Sequence, residues 1–129
     1  MPDIVLQTVA VTRTFRVGST MVSALEGINL AVQQGEFVAI MGPSGCGKST
    51  LLNLLGGLDR PTSGSVHLAG CDLLDLNDDA LSHLRRTTLG FVFQRHDLFP
   101  FLTAQENVEF PLLLHGKSSS QRQKRAKEL

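Results

Sequence analysis

No apolar run in this sequence approaches the roughly 20 residues that a membrane-spanning helix requires, so no segment is expected to cross a bilayer. A secretory leader is also missing: Met1 is followed by Pro2 and Asp3, not by a basic segment and an apolar stretch, and the chain is expected to stay in the cytoplasm. Cysteine is scarce. Cys46 and Cys71 are too few for a disulfide framework and match no metal-ligand spacing, so both are expected to be reduced. Net charge is lacking too, but its distribution is uneven. Asp72, Asp75, Asp78 and Asp79 cluster mid-chain, whereas Lys117, Arg122, Lys124, Arg125 and Lys127 crowd the end. No aromatic residues alternate with the basic ones, so both clusters are read as solvated helix faces and no nucleic-acid partner is expected. With 129 residues, 42% of them hydrophobic and 19% charged, the chain suffices for one modest globular domain or part of one, not for two.

What is present alternates between strand and helix signals, which defines an α/β class. Ile4 to Val11 is rich in β-branched residues and reads as a strand, as does Ile28 to Val32 before the Gln33-Gln34-Gly35 turn. Glu36 to Met41 is a short apolar run ending in glycine, the pattern of a strand buried on both faces of a parallel sheet. Lys48 to Leu55 has helical spacing and stops at Gly56-Gly57. After a Pro61-Thr62-Ser63-Gly64 turn come a strand at Ser65 to Ala69, a helix at Asp78 to Arg86 and a strand at Thr88 to Phe93. Thr103-Ala104-Gln105-Glu106 and Ser118-Ser119-Ser120-Gln121 each have the spacing of a capping box that opens a helix, the first of which Pro111 should kink or shorten.

The strongest chemical signal is Gly42-Pro43-Ser44-Gly45-Cys46-Gly47-Lys48-Ser49, a phosphate-binding loop set between an apolar run and a helix. Glycines let the backbone wrap an anion, its N–H groups point inward, and the helix N-terminus adds partial positive charge. A triphosphate, as in ATP, fits such a nest. Lys48 can reach the β- and γ-phosphates, and the Ser49 hydroxyl can ligate the Mg²⁺ that neutralises the same oxygens. Thr50 is open to two readings, a hydroxyl contact to the α-phosphate or an ordinary first-turn residue. Cys46 is read as a compact filler whose neighbouring N–H groups face the phosphate; the alternative is a thiol activated at a helix start.

A phosphate-binding loop alone leaves kinases, GTPases, helicases and transporter ATPases open. The surroundings are more specific. Arg13-Thr14-Phe15-Arg16, Ala24-Leu25-Glu26-Gly27-Ile28-Asn29-Leu30 and Gly35-Glu36 resemble the opening of the ATP-binding domains of ABC transporters, P-loop NTPases with a β-rich N-terminal subdomain and a parallel-sheet core. The resemblance implies that Phe15 stacks on adenine, an interaction worth about 1–3 kcal/mol; core packing is the other reading of Phe15. Gly90-Phe91-Val92-Phe93-Gln94 is similar to the family's Q-loop, which implies that Gln94 positions Mg²⁺ or the attacking water. The same resemblance implies that Arg95 to Leu102 faces a transmembrane permease subunit, with Phe99, Phe101 and Leu102 as apolar anchors. His96 and the other histidines show no ligand spacing, so no metal beyond nucleotide-bound Mg²⁺ is expected. Leu58 to Gly64, Leu84-Arg85-Arg86, Leu102 to Val108 and Pro111 to Gly116 resemble the macrolide-export and lipoprotein-release group.

Three family features do not occur before Leu129: a Leu-Ser-Gly-Gly-Gln-like signature, an apolar strand ending in Asp-Glu, and a switch histidine. The whole of residues 1–129 is therefore expected to be the N-terminal portion of one such domain, truncated, marginally stable and inactive in hydrolysis by itself. The family implies a second ATP-binding subunit and a peripheral place on the inner face of the cell membrane. The leading expectation is ATP binding within a transporter ATPase that powers export or release. The alternatives are a hydrolysis-defective nucleotide binder competing for the permease, and a small kinase, for which no substrate lid is visible.

Overall fold

The computed structural model describes residues 3–95 and 97–129, so the reading of Met1 and Pro2 and that of His96 lie outside the described residues. The chain divides into two compact units, one ending at Leu89 and the other spanning Gly90–Leu129.

The first unit is built on a hairpin of β1 (Ile4–Val17) and β2 (Thr20–Gln33). These strands run well beyond the two expected from composition. Cross-strand pairing through Thr14↔Ser23, Phe15↔Val22 and Val17↔Thr20 carries the polar stretch around Arg13 and Arg16 into the ladder, which local composition does not reveal. Near its middle β1 bulges at Ala10, φ 47°, and the N–H turned away from the ladder there is taken up by Asn29 Oδ1 at 2.8 Å. β3 (Ser63–Leu68) pairs with the other edge of β1, and the short β4 (Cys71–Asp72) with β3. The sheet order is β2-β1-β3-β4, antiparallel throughout.

Helix α1 (Lys48–Leu55) forms with the expected bounds and ends at Gly56, followed by Gly57 in the left-handed region. It lays Leu51, Leu54 and Leu55 against Val11, Leu25, Val66 and Leu68 of the sheet; Leu73 and Leu81 close the core. Leu81 comes from α2 (Asp78–Thr88), where the Asn77 side chain accepts the Ala80 N–H and the two arginines fall in the last turn. The buried Thr8 hydroxyl donates to the Ile28 carbonyl at 3.0 Å, so its burial leaves no unmade bond.

Two expected strands are corrected. Residues 36–41 form no ladder; Phe37 and Met41 are 94% and 86% exposed, and only Ile40 packs on the core. The strand expected at Thr88 to Phe93 is likewise absent: Thr88 closes α2, and residues 89–93 pair with nothing among the described residues. Phe91 and Phe93 stack with ring centroids 5.6 Å apart and planes 2° from parallel, the same-side spacing of an extended backbone. Both segments have strand composition, but a parallel strand exists only where neighbours take its N–H and C=O groups. The four-stranded sheet offers neither segment such a neighbour.

The second unit holds α3 (Ala104–Leu114) and α4 (Ser119–Glu128), each opened by the expected capping box. Pro111 sits inside α3, which continues three residues beyond it and ends at Leu114. Glu109 and Arg122, mostly buried, tie the helices at 3.7 Å. Ahead of α3, Phe99 packs on Phe110 with centroids 4.6 Å apart. Lys124, Arg125 and Lys127 are exposed on α4, the solvated face expected of them.

Candidate nucleotide-binding site

The expected phosphate loop occupies residues 42–47, directly before α1. Gly45 and Gly47 have φ of 81° and 93°, a region closed to most side chains, and Gly47 is the helix N-cap. A Cβ on Gly47 would stand 2.5 Å from the Ala24 carbonyl oxygen and 2.9 Å from Leu25 Cδ2. The loop backbone thus rests directly on β2. A Cβ on Gly42 would meet the Cys46 sulfur at 2.7 Å, so the Cys46 side chain fills the space that the glycine leaves. The Cys46 residue is nonetheless exposed.

No side chain caps α1. Its hydrogen-bond ladder begins with the Leu51 N–H donating to the Gly47 carbonyl at 2.8 Å, which leaves the N–H groups of Lys48, Ser49 and Thr50 ahead of it. These donors stand at the positive end of the helix dipole, a position that favours an anion. The Lys48 ammonium lies across the loop, donating to the carbonyls of Gly42 at 2.8 Å and Pro43 at 2.7 Å and standing 3.6 Å from Cys46 Sγ. Ser44 and Ser49 are exposed, and Thr50 is half-buried. The donor set fits a polyphosphate: backbone N–H groups and one ammonium for its oxygens, with the exposed Ser49 hydroxyl as a hard oxygen ligand for an accompanying Mg²⁺.

Phe15 lies near the end of β1, 37% exposed, with the Arg13 guanidinium 4.6 Å from its ring centroid. Arg13 pairs across the hairpin with Leu25, the residue on which the Gly47 backbone rests. Phe15 is two residues further along the same strand, about 7 Å by strand rise. An aromatic face and the phosphate loop therefore belong to one neighbourhood of the first unit.

Gln94 belongs to the second unit, exposed within a bend. In the segment that follows, Leu98 and Phe101 are 65% and 79% exposed. Behind them stands Asn107, which sequence reasoning did not single out. Its Oδ1 accepts the Phe99 N–H at 2.8 Å, and its Nδ2 donates to the carbonyls of Phe99, Leu102 and Thr103 at 3.2, 3.1 and 3.0 Å. One amide side chain thereby holds the whole turn before α3. The available signal was an Asn in the first turn of a helix, a residue type that often bonds to nearby backbone. Arg13 and Asp59, which meet at 2.8 Å across 46 residues of sequence, carried no local signal at all.

The family model described as ABC transporter matches residues 25–129. The chain belongs to the ABC transporter family. It is 50% identical over 121 residues to the uncharacterized ABC transporter ATP-binding protein MJ0796 of Methanocaldococcus jannaschii, covering 92% of this chain and 52% of that protein. It is 54% identical over 117 residues to the macrolide export ATP-binding/permease protein MacB of Brucella abortus, covering 91% of this chain and 18% of the larger protein. With the lipoprotein-releasing system ATP-binding protein LolD of Geobacter metallireducens the identity is 49% over 124 residues, 96% of this chain and 55% of LolD. Among solved structures, the dimeric post-hydrolysis state of the ATP-binding cassette MJ0796, bound to ADP and Pi, superposes with a TM-score of 0.89 at 48% identity. That match covers 95% of this chain and 54% of the other. The chain thus spans about half the length of the ATP-binding proteins it matches.

Proposed function

We propose that this chain is the nucleotide-binding portion of a transporter ATPase subunit, holding MgATP in the loop 42–50 and, within the whole protein, using ATP hydrolysis to drive macrolide-type export or lipoprotein-type release. The observation that carries the reading is the convergence of the uncapped α1 N-terminus and the Lys48 ammonium on one loop. Gly42, Pro43, Ser44, Gly45, Cys46 and Gly47 supply the backbone that wraps the phosphates. Lys48 exchanges its two carbonyl partners for β- and γ-phosphate oxygens, a trade of neutral for charge-assisted hydrogen bonds. Ser49 would hold Mg²⁺, which supplies neutralisation of the charge that builds on the β/γ oxygens. Thr50 contacts the α-phosphate, and the open face of Phe15 receives the adenine.

Gln94 would help hold Mg²⁺ or orient the attacking water, and residues 94–102 dock on a transmembrane permease subunit through the expected anchor Phe101 with exposed Leu98 nearby; of the other two expected anchors, Phe99 packs on Phe110 and Leu102 is half-buried. The relatives, which include an ATP-binding/permease protein and a dimeric ATP-binding cassette, support a permease partner and a second ATP-binding subunit. Such a subunit sits in the cytoplasm against the inner face of the cell membrane. No helix among the described residues is long and apolar enough to cross a membrane. Calorimetric titration of the chain with MgATP tests the core of the reading: saturable one-site binding is expected, and no heat of binding at millimolar nucleotide contradicts it. Gln94→Ala should bind MgATP like the parent chain; a lost nucleotide site in that variant removes the coupling role assigned to Gln94.

A further inference from the structure

Arg13 and Phe15 are two residues apart on β1, so their side chains share one face of the strand, and the guanidinium lies against the ring at 4.6 Å from its centroid. One face of the ring is therefore taken by a cation, and the residue remains 37% exposed. Arg13 Nη2 donates to Asp59 Oδ1 at 2.8 Å, and the same oxygen accepts the Arg60 N–H at 2.8 Å, which fixes the carboxylate to its own backbone. Asp59 in turn lies just past α1, its N–H bonded to the Asn53 carbonyl of that helix at 3.3 Å. Two further bonds lock the surrounding turn to β1: the Thr14 N–H to Thr62 Oγ1 at 3.0 Å and the Thr62 N–H to the Thr12 carbonyl at 2.8 Å. A continuous series of contacts thus runs from the phosphate-loop helix through Asp59 and Arg13 to the Phe15 ring.

We infer that Arg13 and Asp59 form a positioning clamp that fixes the Phe15 ring relative to α1, so that a stacking face for a purine base is already in place when the triphosphate is seated in the loop. The inference rests on the proposed stacking of adenine on Phe15. Two features separate this pair from an ordinary surface ion pair. Its side chains are only 24% and 29% exposed, so water screens it less than it screens a surface pair. Arg13 Nε is buried and has no hydrogen-bond partner among the described residues, so the guanidinium is held through Nη2 and its face and not through Nε. The stack on the ring and the bond to Asp59 are what orient the guanidinium. Arg13 and Asp59 act through Phe15, not by touching phosphate or base.

The test compares two ligands on the full chain: MgATP, which needs both loop and shelf, and magnesium tripolyphosphate, which has no base and needs the loop alone. Arg13→Met, which keeps an apolar stem and drops the charge, and Asp59→Asn, which keeps an acceptor for the Arg60 N–H, are each expected to weaken MgATP binding about two- to fivefold. Tripolyphosphate affinity should stay unchanged in both. Equal loss for the two ligands, or no loss for either, overturns the clamp, since a merely structural pair would move them together. Phe15→Ala separates the two readings. If it does not distinguish ATP from tripolyphosphate, the base shelf fails and the clamp fails with it. If it does and the Arg13 and Asp59 variants do not, the clamp alone is wrong. Should Arg13→Met fail to fold, Asp59→Asn decides the matter by itself.

Discussion

Thr103 and Glu106 cap α3 in both directions: the Thr103 N–H donates to Glu106 Oε2 at 2.8 Å, and the Glu106 N–H donates to Thr103 Oγ1 at 3.2 Å. The Thr103 hydroxyl adds a third bond to the same carboxylate oxygen at 2.8 Å. All that Glu106 receives here favours its ionised form, and the backbone bond from Thr103, then the hydroxyl bond, hold its carboxyl below the usual carboxylate range.

A pH dependence follows with a definite sign. The folded-state value is lowered, so the stabilisation is fully present above the ordinary glutamate range near about 4.3 and is lost as pH falls through the lowered folded value. Protection of the first-turn amides of α3 against hydrogen exchange should therefore decline on acidification in that window. In Glu106→Gln, which keeps an acceptor without the titration, the decline should vanish. An identical pH profile in the variant would show that another group sets it.

Gly47→Ala should damage both stability and binding. The residue adopts φ 93°, and its Cβ would press on the Ala24 carbonyl at 2.5 Å. Backbone strain of this kind costs about 1–3 kcal/mol before any clash is counted. Gly35→Ala serves as the comparison, with φ 78° but nothing within 4 Å of the added atom. Chemical denaturation should rank Gly47→Ala as the more destabilised, and MgATP affinity should fall in Gly47→Ala only.

Asn107→Ala should loosen the turn at residues 99–103 without melting α3, whose capping box is separate. The Phe99 amide loses its acceptor, Asn107 Oδ1 at 2.8 Å, and its exchange with solvent should accelerate about tenfold, the equivalent of one hydrogen bond. Unchanged exchange would mean that the aromatic contact of Phe99 with Phe110 holds the turn unaided.

The parts of the fold legible in the sequence were those with local causes. Lys48–Leu55 forms as read because glycines mark both of its ends, and Thr103 and Ser118 open helices through bonds that span only three residues. The family, too, was legible from Gly42 to Ser49 together with the segments around Phe15 and Gln94, and the match over residues 25–129 agrees. What was not legible depends on partners distant in sequence. Phe37 and Val92 sit in runs of strand composition, yet neither run has a ladder partner among the described residues, so both side chains stand in solvent. The full length of the β1–β2 hairpin, and the meeting of Arg13 with Asp59, arise from pairing across the sheet and around α1. No periodicity encodes such contacts.

Under the proposed function the loop before α1 binds the phosphates of ATP, with Lys48 as its charge. Lys48→Ala removes the one ammonium in a loop otherwise built of backbone dipoles, where a hydrogen bond to a charged partner is worth about 1.5–3 kcal/mol. Titration of the parent chain and the variant with MgATP is expected to show a loss of affinity of about tenfold or more. Equal affinity in the two proteins would contradict the assignment and place the nucleotide elsewhere.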